Sequence, residues 1–128
     1  MSEKSVYSAN ISFDKNNNLL LVKFKDGVNI EIDEMNVLIN ESLKLVGNAP
    51  FLLLVDARDI LSDIDHESRH FFVNHDEYNH LNIAQAIVVN NTPIKLLANF
   101  YLKFYSHKNP VKVFRSIDEA KKWLFEQV

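Results

Sequence analysis

Five residues near the middle of the chain match the H-E-x-x-H pattern of zinc proteases: His66-Glu67-Ser68-Arg69-His70. In that chemistry two histidines one helical turn apart hold zinc, and the glutamate activates the zinc-bound water. The helical period, however, places His66 and His70 opposite the apolar side of their predicted helix, and Arg69 is charged where the pattern is usually uncharged. We therefore predict no catalytic residue and no metal ligand, and rank a metal-dependent hydrolase third.

Four carboxylates crowd the stretch that precedes this pattern: Asp56, Asp59, Asp63 and Asp65. Carboxylates are the usual protein ligands of magnesium, but the same residues also end strands and cap helices, and we favour that second role. No serine lies in a G-x-S-x-G elbow, and two glycines in the whole chain leave no glycine-rich phosphate loop. No cofactor is expected.

Polar residues follow two apolar runs that have the character of buried parallel strands. In parallel sheets the carboxyl ends of the strands form the edge at which ligands and regulators usually bind. Two helix N-termini near this edge would offer free amides to an anion. We therefore expect a binding edge there, formed by Asp56, Arg58, Arg69, Asn90, Asn91 and Thr92.

Composition limits the class of protein. The chain has 128 residues, of which 47% are hydrophobic and 24% charged, as is ordinary for one globular domain, and we predict a single domain over residues 1–128. The net charge of −3 argues against nucleic acid. The chain has no cysteine and shows neither a secretory signal nor an apolar run long enough for integral membrane association, so we expect a cytoplasmic protein.

The pattern of apolar residues predicts an α/β fold in the order βββαβαβαβα, with a mixed four-to-five-stranded sheet and about four helices. Its first strands are antiparallel and its later strands parallel, because strands alternate with helices in the second part. The predicted strands are 11–14, 19–24, 28–32, 51–55, 84–89 and 111–114, and the predicted helices are 33–46, 62–80, 93–106 and one that begins at Ser116.

The predicted helix from Pro93 to Ser106 is apolar around most of its circumference, with Lys95, Asn99, Lys103 and Ser106 as a narrow polar stripe. A helix on the outside of a sheet normally buries one face only. The additional apolar surface could be buried by a neighbouring helix of the same domain. It could also form an interface between two copies of the chain, or a groove for a lipid or a peptide. As interface residues we name Leu97, Phe100, Tyr101, Phe104 and Tyr105.

Three segments carry a family resemblance: Leu52–Asp56, Ile87–Val89 and the ending Val113–Leu124. On these segments the chain resembles the STAS-like, SpoIIAA-like superfamily of anti-sigma-factor antagonists and STAS/SEC14-type small bacterial domains. The resemblance implies a STAS-like fold and a regulatory role through protein partners. It also implies a phosphorylated serine after the strand, near Ser68 or Ser62, although Asp65–Arg69 replaces the D-S-[SG]-G signature. SEC14-type relatives imply an apolar ligand instead.

Together these observations predict a non-enzymatic regulatory or protein-interaction domain that forms a homodimer through the segment 93–106. The alternative is a binding module for a small apolar or anionic ligand, which would retain that ligand on purification.

Overall fold

The computed structural model describes residues 2–25, 27, 30–58, 66–90 and 109–128, with the backbone alone at His66, Arg69, His70 and Val73. Six strands and four helices lie within these ranges. The strands are β1 (Ser2–Ser5), β2 (Ala9–Asp14), β3 (Leu19–Phe24), β4 (Phe51–Asp56), β5 (Asn82–Val88) and β6 (Val111–Phe114). The helices are α1 (Ile32–Val46), α2 (His66–Val73), α3 (Asp76–Leu81) and α4 (Ile117–Phe125).

The strands form one mixed sheet in which spatial order follows chain order, β1 to β6. The pairs β1–β2 and β2–β3 are antiparallel, whereas β3–β4, β4–β5 and β5–β6 are parallel. The predicted mixed α/β fold, antiparallel first and parallel later, is therefore confirmed. The sheet has one or two more strands than the four or five expected of it, and as many as the predicted order of elements contains.

The three antiparallel strands are not the three that we predicted. The polar N-terminus forms β1, which the pattern of apolar residues does not indicate. Of the predicted strand 28–32, the structure describes only residues 30–32, and these do not form a strand. Ile30 is fully buried as an isolated bridge, and α1 already begins at Ile32, whose side chain is 40% exposed. The backbone N–H of Glu31 donates to the Glu34 carboxylate (3.2 Å), a helix-start contact that the strand-like alternation concealed.

The predicted helix 62–80 is two helices where the structure describes it, α2 and α3. The break falls at Asn74 and His75. The Nδ1 atom of His75 accepts the backbone N–H of Tyr78 (3.2 Å), so this residue caps α3 instead of continuing α2. The prediction of one continuous helix over residues 62–80 was therefore wrong.

Helices cover both faces of the sheet. The helices α1, α2 and α3 lie on one face, where Tyr78 of α3 packs edge-on against Phe51 of β4 and touches Phe72 of α2, with ring centroids 5.2 and 5.1 Å apart. On the other face α4 packs on β4, β5 and β6 through Ala120 and Leu124. All six residues of β4 are buried, as predicted for a central strand.

Three boundaries of the predicted elements agree with the structure: the turn between strands 11–14 and 19–24, the end of helix 33–46 and the start of the last helix at Ser116. Asn18 takes a left-handed conformation (φ 51°) in the β2–β3 turn, and Gly47 ends α1 in the same conformation (φ 66°). The hydroxyl of Ser116 accepts the backbone N–H of Glu119 (3.3 Å) at the start of α4. The predicted helix Pro93–Ser106 lies outside the described residues. None of the described helices has the length and apolar character that a membrane-crossing helix needs.

The turn between β1 and β2 contains a buried hydroxyl, that of Ser8, which is 1% exposed and has no hydrogen-bond partner among the described residues. An unpaired buried polar group costs stability, so the substitution Ser8→Ala removes a cost without removing a bond. We expect the free energy of unfolding to stay unchanged or to rise by up to about 1 kcal/mol, measured by urea denaturation. A fall of that size would show that the hydroxyl has a partner in solution.

Candidate functional site

The parallel strands end at one edge of the sheet, as the sequence predicts. Backbone register places Lys23, Asp56, Val88 and Phe114 in one row across β3, β4, β5 and β6. Two backbone bonds continue the ladder past the strand ends, from Ala57 N–H to the Val88 carbonyl (2.8 Å) and from Val89 N–H to the Phe114 carbonyl (2.9 Å). The segments that hold Arg58 and Asn90 therefore leave the sheet at this same edge.

Asp56 is the centre of this strand-end edge. Its carboxylate accepts two hydrogen bonds from the Arg58 guanidinium, one from Nε to Oδ1 and one from Nη2 to Oδ2, both 3.0 Å long. The backbone N–H of Arg58 donates to Oδ1 as well (3.1 Å), which closes a local turn. From the neighbouring strand, Lys23 Nζ donates to Oδ2 (3.2 Å). We refer to these three residues as the Asp56 clamp.

The Asp56 clamp fixes the carboxylate in its charged form. The side chain of Asp56 is 5% exposed, and this burial alone would raise its pKa, but the bonds from Arg58 and Lys23 outweigh the burial and hold the pKa below its ordinary value. The bidentate arrangement with arginine is among the strongest that a carboxylate makes. Arg58 and Lys23 keep 40% and 50% of their side chains exposed.

The other residues predicted for this edge are described less completely. Asn90 is exposed just beyond β5, and Arg69 lies on α2 with only its backbone described. Asn91 and Thr92 lie outside the described residues. Asp56 and Arg58 thus lie together at the strand ends, and a binding role for any of the six predicted residues stays a prediction.

The two candidate phosphorylation sites also stay predictions. Ser62 lies outside the described residues, and Ser68 on α2 is fully buried, so a kinase would reach its hydroxyl only if the helix opened. His66 and His70 occupy α2, and Glu67 between them is exposed. Among the side chains that the structure describes, no group of three or more histidines and carboxylates converges to hold a metal ion.

The five predicted interface residues, Leu97, Phe100, Tyr101, Phe104 and Tyr105, all lie outside the described residues. Sequence reasoning missed one member of the Asp56 clamp, Lys23. The signal was present, because Lys23 is the one charged residue in an otherwise apolar strand. Its contact with Asp56 follows only from the pairing register of β3 with β4.

A groove of about 430 Å³ lies on the half of the sheet formed by β1, β2 and β3. Six of its eight lining residues are polar; the lining consists of Glu3, Lys4, Ser5, Asn10, Ile11, Ser12, Leu21 and Lys23. Ile11 and Leu21 are the two apolar residues in this lining.

Comparison with solved structures shows which fold this is. The chain is similar to an uncharacterised protein of the DUF3478 family with a SpoIIAA-like fold from Shewanella loihica PV-4. That likeness covers 97% of this chain and 98% of the other at 14% identity, with a TM-score of 0.64. The predicted STAS-like, SpoIIAA-like fold is thereby confirmed. No curated protein matches the sequence.

The match to a protein family covers most of the chain. Residues 13–127 match the family described as a domain of unknown function, DUF7793. The matched range runs from β2 to beyond the end of α4, and so includes the Asp56 clamp and every parallel strand. The chain therefore belongs to the DUF7793 family.

Proposed function

We propose that this chain forms one domain that is non-enzymatic and regulatory and acts in the cytoplasm by binding other proteins. The observation that carries the proposal is the Asp56 clamp. A carboxylate that accepts bonds from two cations and a backbone N–H has little capacity left for proton transfer or metal binding. The clamp instead holds two half-exposed cations at the edge where folds of this type usually meet their ligands.

The SpoIIAA-like fold supports the same proposal. The superfamily that the sequence resembles includes anti-sigma-factor antagonists, which are regulators that act by contact with protein partners. Fold alone does not determine function, so the proposal depends on the residues at the strand-end edge. There the half-exposed Arg58 and Lys23 are suited to an acidic surface of a partner.

We further propose that the protein self-associates through residues 93–106. Nine of the fourteen residues in this segment are apolar: Ile94, Leu96, Leu97, Ala98, Phe100, Tyr101, Leu102, Phe104 and Tyr105. Aromatic residues at this density are typical of interface cores. A ligand-binding module is the alternative, and it predicts that a small molecule stays bound to the purified protein.

The clamp can be tested through the pH dependence of stability. Because the folded-state pKa of Asp56 is lowered, its contribution to stability is complete above the ordinary value of 3.8 and is lost as the pH falls below it. We expect Asp56→Asn to lower the free energy of unfolding at neutral pH by about 1–3 kcal/mol, and this difference to shrink in acid.

Urea denaturation across the acidic range measures the effect. The matched control is Asp118→Asn, which removes the same charge from an exposed position in the first turn of α4, where loss of the helix-dipole contact should cost at most about 1 kcal/mol. If Asp56→Asn kept the stability and the pH profile of the unmodified protein, the clamp would contribute nothing to the free energy of unfolding. The observation on which the proposal depends would then be lost.

Self-association is tested by native mass spectrometry, which reports oligomeric state and retained ligand together. We expect a ligand-free oligomer that Phe100→Lys reduces to a smaller species, because a charge buried in an apolar interface is costly. Asn99→Lys is the matched control, since it adds the same charge on the polar stripe of the segment. A monomer that carries a small molecule would contradict self-association and favour the ligand-binding alternative.

A further inference from the structure

The outer edge of β1 carries backbone groups that β2 does not use. The strand is the first in the sheet, and all four of its residues are exposed. Val6 N–H donates to the Ala9 carbonyl (2.9 Å), so Val6 and Ala9 form a hydrogen-bonded pair. In an antiparallel ladder such pairs alternate, which turns the backbone of Lys4 toward β2 and the backbone of Glu3 and Ser5 outward.

We propose that this edge binds the same edge of a second copy of the chain, so that two sheets join into one through antiparallel β1 strands. The inference rests on the proposed self-association and deepens it by naming a second surface for it. Each copy offers the N–H and C=O groups of Glu3 and Ser5, and main-chain bonds of this kind are how sheet edges recognise an added strand.

Symmetry and charge select one register for this pairing. A two-fold axis perpendicular to the sheet keeps each side chain on its own face, so Glu3 can lie opposite Glu3, Ser5 or Tyr7 of the other copy, but not opposite Lys4. Glu3 opposite Tyr7 would place Ser5 opposite Ser5 and bring the two Lys25 ammonium groups together. Glu3 opposite Glu3 would bring two carboxylates together. Glu3 opposite Ser5 is favourable, because the ammonium of Lys25 lies 2.9 Å from the Ser5 hydroxyl. Each Glu3 then meets a Lys25 of the other copy.

The opposite face of the joined sheet carries the one unfavourable contact. In this register the two Lys4 side chains lie opposite each other, but each has Glu41 of α1 beside it, with Nζ and Oε2 4.0 Å apart. Lys44 also contacts Glu41 (3.3 Å). Val37 lies one turn before Glu41 on the same side of α1 and is 49% exposed, so it adds an apolar contact along this edge.

The test uses proline, which removes a backbone N–H. In Ser5→Pro the lost N–H faces outward, so the pairing of β1 with β2 remains, and proline is tolerated at such edge positions. Native mass spectrometry should show a smaller assembly than for the unmodified chain. Ser5→Ala is the matched control: it removes the hydroxyl but keeps the N–H, and should keep the assembly. Adding Phe100→Lys to Ser5→Pro should give a monomer.

Charge reversal provides a second test that does not alter the backbone. Glu3→Lys should weaken association about 10-fold by facing Lys25 of the other copy, and the double variant Glu3→Lys with Lys25→Glu should restore it. An assembly that is unchanged in Ser5→Pro and lost in Phe100→Lys would overturn this inference and leave the proposed function intact. A monomeric unmodified chain would overturn both forms of self-association.

Discussion

The structure depends on the complete burial of β4. This strand lies between β3 and β5, with helices α1 to α3 on one side and α4 on the other, and none of its residues is exposed. A strand in this position must be apolar along its length and must neutralise any charge that it carries. Its last residue, Asp56, is charged, so the fold has to supply cations there. The Asp56 clamp is the consequence of that requirement.

Much of this fold could be predicted from sequence because the signals are local. The run Phe51–Val55 is apolar throughout, and its short length and the flanking Pro50 and Asp56 favour a strand buried on both faces. Gly47 and Ser116 mark helix ends by chemistry that acts within one turn. The elements that were not predicted depend on contacts between distant parts of the chain. Strand β1 has no apolar residue, so its place in the sheet depends on pairing with β2, which no local pattern records.

In the candidate site, too, the contacts between residues close in sequence could be predicted, whereas the contact that depends on strand pairing could not. Asp56 and Arg58 are two residues apart, and their contact follows from a tight turn at the end of a strand, so sequence reasoning reached both. Lys23 lies 33 residues before Asp56 and meets it only through the register of β3 with β4. Helix periodicity failed at His75 for a related reason, because a capping histidine has the same spacing as one within a helix.

Strand β3 connects the site with the free edge of the sheet. Lys23 and Lys25 are two residues apart and therefore leave the strand on the same face. Lys23 turns toward β4 and bonds Asp56, whereas Lys25 reaches past β2 to the hydroxyl of Ser5 on β1. The same end of β3 thus places one cation in the clamp and another at the β1 edge. Because the two contacts share no side chain, changes at Lys25 separate binding at the edge from the stability of the clamp.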